Sequence, residues 1–264
     1  MGTKFKTKLK LVKPSTEFTT LKYFPDFFEK ALLLIEECGR VSHKSEGRIT
    51  EGSADPFVRK IGINFGHETI LEHMSFTVCF KMSRAASHQL VRHRIAAYTQ
   101  ESQRYCDYSK GGDPMLQIIV PNLIREQMGE WWKDQDNIVA EKNYSEEETI
   151  VLNKGAPNKI LYRDAHRNLF NYLESVANDY EEYLNLVKDK VKAEDARYLL
   201  PNASKTEVYT TFNLRQWRHF FKMRLDSHAQ WEIKEVANDV FNLFKENCPL
   251  LVENLYAHNG EKLE

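Results

Sequence analysis

The segment from Arg84 to Arg104 holds four arginines and two histidines, with no lysine and a single acid. Its centre reads Arg92-His93-Arg94, and seven further residues lead to Ser102-Gln103-Arg104. A guanidinium is a planar fork that binds two oxygens of a phosphate or carboxylate together, which a lysine ammonium cannot do. Because hydroxyl and amide donors lie among these arginines, the segment predicts a pocket for a multiply charged small anion.

A solvated basic helix face is the alternative interpretation of the same arginines. Such a face usually mixes lysine and glutamate with arginine, whereas this segment has only Glu101 as a counter-charge. The whole chain has a net charge of -1, and nucleic-acid-binding proteins usually carry a basic domain or stripe. We therefore expect no nucleic-acid partner, although a phosphate clamp for a nucleotide or RNA stays open as a second hypothesis.

Three stretches of the chain resemble the flavin-dependent thymidylate synthase family. The first is Arg92-His93-Arg94, seven residues and then Ser102, within the run RHRIAAYTQESQRY. The other two are Gly66-His67-Glu68-Thr69 with Glu72-His73, and Leu214-Arg215 with the run from Arg224 to Glu232 (RLDSHAQWE). The matches occur in the order found in the family and extend from about residue 35 to about residue 250.

The resemblance implies a reaction, its cofactors and an assembly. The reaction would be the reductive methylation of dUMP to dTMP, with methylenetetrahydrofolate as the carbon donor. FAD would be the bound flavin, NADPH would reduce it, and the protein would position and polarise the reactants. Members of this family are homotetramers whose sites draw residues from several chains. A flavin reductase that has lost the methylation step is a third hypothesis.

The resemblance also implies which side chains bind which ligand. The dUMP contacts would be Gln89, Arg92, Ser102, Gln103, Arg104, Arg197 and Arg224. The FAD contacts would be Thr69, Arg92, His93, Arg94, Gln100, Asn213, Arg215 and His219. Gln100 stands where many relatives have Glu, so this flavin contact would keep its hydrogen bonds and lose its charge. Without the resemblance, Arg197 is interpreted as a cap at the C-terminal end of a helix.

Arg224 has the most unusual predicted surroundings. It follows Trp217 by seven residues and Phe220 by four, so a helix would lay its stem along an aromatic face. A charge placed there is costly unless it is paired. The partner could be Asp226 or Glu232 in a structural salt bridge, or it could be a ligand. The resemblance makes Arg224 the catalytic residue, which would hold the uracil ring as the ring becomes an anion.

Other site types lack support in this sequence. The chain has neither a G-x-G-x-x-G motif nor a P-loop, so a dinucleotide would need a site unlike the Rossmann fold. His67 and His73 are six apart and would not share a helix face, so we expect no metal. The four cysteines include no C-x-x-C pair, which indicates reduced thiols in the cytoplasm. No apolar run approaches the roughly 20 residues that span a bilayer.

Periodicity predicts the elements that position these residues. Strands are predicted at 4–13, 74–82, 116–121 and 207–212, and helices at 25–38, 158–190, 213–225 and 228–246. Ser83 would cap a helix that runs into the arginine segment and presents Gln89, Arg92 and His93 on one face. Ser227 and Gln230 would form a capping box for the last helix.

Strands far apart in sequence with helices grouped between them indicate an α+β fold. We expect a mixed or antiparallel β-sheet packed with long helices, in a single domain that spans residues 1–264. The polar stretch 122–157 is interpreted as a variable surface insertion, irregular or loosely helical, and it suggests no function.

Overall fold

A computed structural model describes residues 7–110, 114–129, 138–143, 149–153, 159–257 and 259–263. The chain divides into two compact units, and each is assembled from three separate stretches. The first unit comprises Met1–Pro14, Met82–Ser87 and Gln100–Thr206, and the second comprises Ser15–Lys81, His88–Thr99 and Glu207–Glu264.

The described strands and helices are as follows. The strands are β1 (Lys8–Val12), β2 (Ser15–Glu17), β3 (Ser75–Ser83), β4 (Ala97–Gln100), β5 (Leu116–Ile119), β6 (Ile138–Asn143), β7 (Thr149–Asn153), β8 (Lys159–Tyr162) and β9 (Lys205–Asn213). The helices are α1 (Thr19–Tyr23), α2 (Phe27–Arg40), α3 (Ala54–Val58), α4 (Arg84–Leu90), α5 (Asn122–Met128), α6 (Arg167–Lys188), α7 (Ala193–Ala196), α8 (Leu214–Arg224) and α9 (Trp231–Asn247).

The first unit is built on a five-stranded mixed sheet with the order β5-β1-β6-β7-β8. Strands β1 and β5 are parallel, and the other neighbours are antiparallel. Alternate residues of β1, Leu9 and Leu11, are buried, as the period of a half-buried strand requires. The amphipathic helix α6 adds Leu169, Phe170 and Leu173 to the same core.

The second unit contains most of a four-stranded sheet with the order β2-β3-β9-β4 and an aromatic core. The ring of Phe76 lies 5.1 Å from Phe27, 5.4 Å from Phe244 and 6.3 Å from Trp217 between ring centroids. The indole N–H of Trp217 donates to the carbonyl of Phe76 at 3.0 Å. This buried bond satisfies the only polar group of the largest core side chain, so α8 is held against β3.

The strongly periodic elements agree with the sequence predictions. Helices α2, α8 and α9 and strands β3, β5 and β9 lie within a few residues of their predicted bounds. The predicted strand 4–13 is confirmed as β1 from Lys8 onward, and its residues 4–6 lie outside the described residues. Ser83 does cap α4, because its hydroxyl accepts the N–H of Ala86 at 3.1 Å.

Three local predictions are wrong. Within 122–157, the described residues 122–129, 138–143 and 149–153 supply α5, β6 and β7 rather than irregular surface, since Ile138, Ala140, Ile150 and Leu152 are buried in the first unit. The rest of that predicted stretch lies outside the described residues. The helix predicted at 158–190 begins only at Arg167, because Lys159–Tyr162 pair with β7. Helix α9 is capped by Gln230 alone, whose amide oxygen accepts from Glu232 and Ile233, and Ser227 lies outside the cap.

The predicted fold class, α+β with a mixed sheet and long helices, is confirmed. That residues 1–264 form one domain, with a variable insertion at 122–157, stays a prediction. Each unit draws on stretches from across the chain, so neither corresponds to a single continuous segment. Within the described residues, no helix is both long and apolar enough to cross a membrane.

We predict that Leu152→Ala destabilises the protein by about 2–5 kcal/mol, because it opens a cavity beside a fully buried position of β7. Val151→Ala is the matched control, since Val151 is only partly buried on the same strand. Urea unfolding followed by circular dichroism measures both changes. Equal and small losses for the two variants would show that this strand is not part of the core.

Candidate functional site

Helix α8 presents polar side chains of the second unit away from its buried face. Asn213 caps the helix, because its side-chain oxygen accepts the N–H of Gln216 at 2.8 Å. Trp217, Phe220 and Phe221 are fully buried, at 0% exposure. Because an α-helix has 3.6 residues per turn, Arg215 and His219 lie on the opposite face of α8 and point toward solvent.

A cavity of about 400 Å³ lies beside α8. It is lined by Glu68, Glu72, Ile95, Asn213, Arg215, Gln216, His219 and Lys222. The guanidinium of Arg215 donates to Glu72 at 2.5 Å, and this hydrogen bond raises the pKa of Arg215. Thr69 is exposed on the 3₁₀ segment Glu68–His73, which carries both glutamates. The structure therefore gathers Asn213, Arg215 and His219 around one cavity.

The guanidinium of Arg224 is half-buried and bonded to neutral acceptors. Its Nε donates to Nε2 of His93 at 2.9 Å, and its Nη2 donates to the carbonyl of Gln89 at 3.1 Å. Burial lowers the pKa of Arg224. Neither proposed salt bridge forms, since Asp226 instead accepts the backbone N–H groups of His228 and Asn259. Arg224 has no carboxylate partner among the residues that the structure describes.

The buried arginines of the same unit differ from Arg224 in this respect. Arg40 pairs with Glu36 through bonds of 2.8 and 2.5 Å, and Arg218 donates to Glu68 at 3.0 Å. A buried guanidinium normally needs such a carboxylate, because desolvation of an unpaired charge is costly. Among the described residues of this unit, Arg224 is thus a partly desolvated arginine without a carboxylate partner.

His93 is the buried member of the arginine segment, with 6% of its surface exposed. The rings of Phe220, His219 and Phe212 lie 5.0, 5.9 and 6.0 Å from its ring centroid. Burial, with the nearby charges of Arg224 and His219, lowers the pKa of His93 to about 4. His93 is therefore neutral at physiological pH, which fits its role as the acceptor for Arg224.

The prediction that one helix face carries Gln89, Arg92 and His93 is wrong. Helix α4 ends at Leu90, and a turn follows, because the hydroxyl of Tyr98 binds the carbonyls of Leu90 and His93 at 2.8 and 2.7 Å. This turn buries His93 and exposes Arg92 and Arg94. Neither guanidinium is paired with an acid within the described part of the chain.

Two predicted nucleotide arginines of the first unit meet at Glu194. Arg104 donates through Nε and Nη2 to the Glu194 carboxylate at 3.3 and 3.2 Å. Arg197 donates through Nε to the carbonyl of Glu194 at 3.0 Å, which is also the helix-end contact expected from sequence. Ser102 accepts the backbone N–H of Arg104 at 3.3 Å, and Gln103 lies in the same turn.

Gln100 points to a different part of the first unit. Its amide nitrogen donates to the hydroxyls of Ser87 and Thr206 at 3.0 and 3.3 Å. Both partners are almost fully buried, at 0% and 1% exposure. These neutral bonds suit an amide, which places no charge among buried hydroxyls.

Sequence reasoning missed the groups that hold the segment after Gln100 in place. Glu101 accepts from the Tyr108 hydroxyl at 2.8 Å and from Lys205 at 3.3 Å. The Tyr180 hydroxyl donates to the carbonyl of Tyr108 at 2.7 Å. It also missed Gln216, whose spacing of three from both Asn213 and His219 was a usable signal.

The cysteine at the end of α9 is not set up as a nucleophile. Cys248 is 4% exposed, and burial raises its pKa to about 12. A thiol that stays protonated at neutral pH is a poor nucleophile.

The chain is similar in sequence to proteins of known family. Residues 26–250 match the family model described as "Thymidylate synthase complementing protein". Flavin-dependent thymidylate synthase from Pyrococcus furiosus is 36% identical over 205 residues, which cover 77% of this chain and 68% of the relative. The protein of the same name from Geobacter sulfurreducens is 33% identical over 205 residues, covering 77% of this chain and 70% of the relative.

A solved structure shares the fold. The UMP/dUMP methylase PolB from Streptomyces cacaoi, bound with 5-Br dUMP, superposes with a TM-score of 0.62. The match covers 92% of this chain and 95% of that protein, at 21% sequence identity. At this identity the likeness concerns the fold alone.

We predict that His93 makes unfolding pH-dependent. In the folded protein the pKa of His93 is about 4, below the ordinary value of 6.5. As the pH falls below 6.5, His93 therefore binds a proton in the unfolded chain but not in the folded protein. The free energy of unfolding should therefore fall by about 2 kcal/mol between about pH 7 and about pH 5. The His93→Gln variant, measured by urea unfolding, should lack this component. An identical pH dependence in both proteins would contradict a neutral, buried His93.

Proposed function

Because the chain belongs to the flavin-dependent thymidylate synthase family, we propose that it converts dUMP to dTMP by reductive methylation. The carbon donor would be methylenetetrahydrofolate, and NADPH would supply the electrons. The observation that carries this proposal is the half-buried guanidinium of Arg224, whose described partners are neutral acceptors. Its charge is available to a ligand that gains negative charge.

Arg224 is the proposed catalytic residue. A uracil ring becomes more reactive at carbon 5 when it loses the proton from the nitrogen between its carbonyls, because the resulting charge spreads into the ring. A fixed, partly desolvated cation stabilises that anion more strongly than water does. The aromatic packing of α8 fixes the helix that carries Arg224 before the substrate arrives, so little reorganisation of the backbone is needed.

The remaining nucleotide contacts would bind the phosphate and the sugar. We assign them to Gln89, Arg92, Ser102, Gln103, Arg104 and Arg197. Arg104 binds the carboxylate of Glu194 and Arg197 binds its backbone carbonyl, so the two guanidiniums lie near one another, and the three terminal oxygens of a phosphate can accept from both. The exposed pair of Arg104 with Glu194 is weak, so a phosphate can replace that carboxylate.

The α8 cavity is the proposed site for part of a flavin dinucleotide. Its lining combines two cations (Arg215 and Lys222), two acids (Glu68 and Glu72) and three hydrogen-bonding side chains (Asn213, Gln216 and His219). The exposed guanidiniums of Arg92 and Arg94 can bind a pyrophosphate without first breaking a described ion pair. We assign FAD binding to Thr69, Arg92, His93, Arg94, Gln100, Asn213, Arg215 and His219. FAD, when bound, would supply the hydride-transfer chemistry.

Assembly and location follow as further parts of the proposal. Several cationic side chains must converge on one nucleotide and one flavin, and the helices of one chain can direct only some of them. We propose a homotetramer whose sites are shared between subunits, acting in the cytoplasm. Its small-molecule partners would be dUMP, the folate and NADPH.

The function is tested by spectroscopy combined with product analysis. We predict that the purified protein carries oxidised flavin, that NADPH bleaches its visible bands without oxygen, and that dUMP with methylenetetrahydrofolate then yields dTMP. Reactions without dUMP are the control for folate-dependent oxidation. A protein that stays colourless with excess FAD would contradict the enzyme and favour the phosphate clamp. Bleaching that never leads to dTMP would favour the reductase.

A further inference from the structure

The position of Arg224 depends on its two bonds to the segment that follows α4. One bond reaches Nε2 of His93 at 2.9 Å, and the other reaches the carbonyl of Gln89 at 3.1 Å. Because a guanidinium is planar and carries five N–H donors, two bonds fix its plane and leave three donors for a ligand. The carbonyl of Gln89 is a fixed backbone acceptor, so His93 is the side chain on which this geometry depends.

His93 can accept this bond only in one protonation state. Nε2 must carry no proton, so the neutral ring holds its proton on Nδ1. Nδ1 lies 3.4 Å from the amide nitrogen of Gln216. Because the two ends of an amide are assigned from their hydrogen bonds, the opposite orientation of this side chain lets its oxygen accept the Nδ1 proton. The Tyr98 hydroxyl binds the carbonyl of His93 at 2.7 Å and fixes the backbone beneath the ring.

The groups packed around His93 disfavour protonation of both ring nitrogens. Arg224 and His219 on α8 bring positive or ionisable groups, while Phe212 at the end of β9 and Phe220 on α8 bring apolar rings. Within the described residues, no carboxylate contacts the imidazole. Protonation would both break the bond from Arg224 and place two cations side by side.

We propose that His93 is a positioning residue, which holds Arg224 toward the pyrimidine by accepting its Nε–H at Nε2. The inference rests on the proposed function, because it gives Arg224 a pyrimidine as its partner. The proposal gives His93 a second role besides its proposed flavin contact. The hydrogen bond from Arg224 on α8 to His93 in the arginine segment would then support catalysis.

Two substitutions separate positioning from packing. Gln can place its amide oxygen near the Nε2 position, so His93→Gln should retain a kcat/KM for dUMP at least about threefold higher than that of His93→Leu. His93→Leu fills the aromatic surroundings without an acceptor and should lower kcat/KM by about tenfold or more, as the loss of a hydrogen bond to a charged group does. Equal losses in the two variants, with flavin retained, would overturn the proposal.

A double-mutant cycle shows whether His93 acts through Arg224. The dissociation constant for dUMP is measured for His93→Leu, Arg224→Gln and the double variant. If His93 only positions Arg224, the double variant should bind dUMP no more weakly than Arg224→Gln alone. Independent, multiplicative losses would mean that His93 contributes in another way and would overturn the proposal.

A third readout does not depend on activity. The Nε–H signal of Arg224, assigned by its absence in Arg224→Gln, should be protected from solvent exchange in the unmodified protein and in His93→Gln. The same signal should lose protection in His93→Leu. If the protein neither binds dUMP nor forms dTMP, the proposed function fails, while this signal still decides whether His93 holds Arg224. A signal unchanged in His93→Leu would overturn the positioning role.

Discussion

Burial of one face of α8 is the constraint on which the second unit depends. Trp217, Phe220 and Phe221 are fully buried, and the Trp217 indole is bonded to the carbonyl of Phe76. Truncating one such aromatic side chain costs about 3–5 kcal/mol, so the rotation of the helix about its axis is strongly fixed. This rotation determines that Arg215 and His219 face a cavity and that Arg224 meets His93.

The same packing leaves one partly buried arginine, Arg224, with neutral partners. Arg40 and Arg218 are neutralised by glutamates, whereas the described acceptors of Arg224 are an imidazole and a carbonyl. Neutral acceptors orient a guanidinium without cancelling its charge. The stable aromatic core offsets the energetic cost of leaving that charge partly desolvated. In the proposed reaction, the charge would stabilise the anion that forms beside it.

The sequence predicts the helices and strands whose apolar residues recur periodically, and it predicts which types of side chain the candidate site contains. Helices α8 and α9 were found because their apolar residues recur at helical spacing over many residues. The sequence does not predict strands β6 and β7, because their alternating apolar residues, such as Ile138 and Ala140, are few and lie among charged residues. These residues become buried only when β6 pairs with β1 and β7. Pairs such as His93 with Arg224 and Arg104 with Glu194 join residues far apart in the chain, so spacing could not reveal them.

In the proposed reaction, the charge of Arg224 acts on the pyrimidine, and the Arg224→Gln variant tests this role most directly. The measurement is kcat/KM for dTMP formation together with the flavin content of the purified variant, with Arg163→Gln, an exposed arginine paired with Glu174, as the control. We expect unchanged flavin content and a loss of about 100-fold or more in kcat/KM, as for removal of a preorganised electrostatic donor. A folded, flavin-loaded Arg224→Gln protein that turns over as fast as the control would contradict the account.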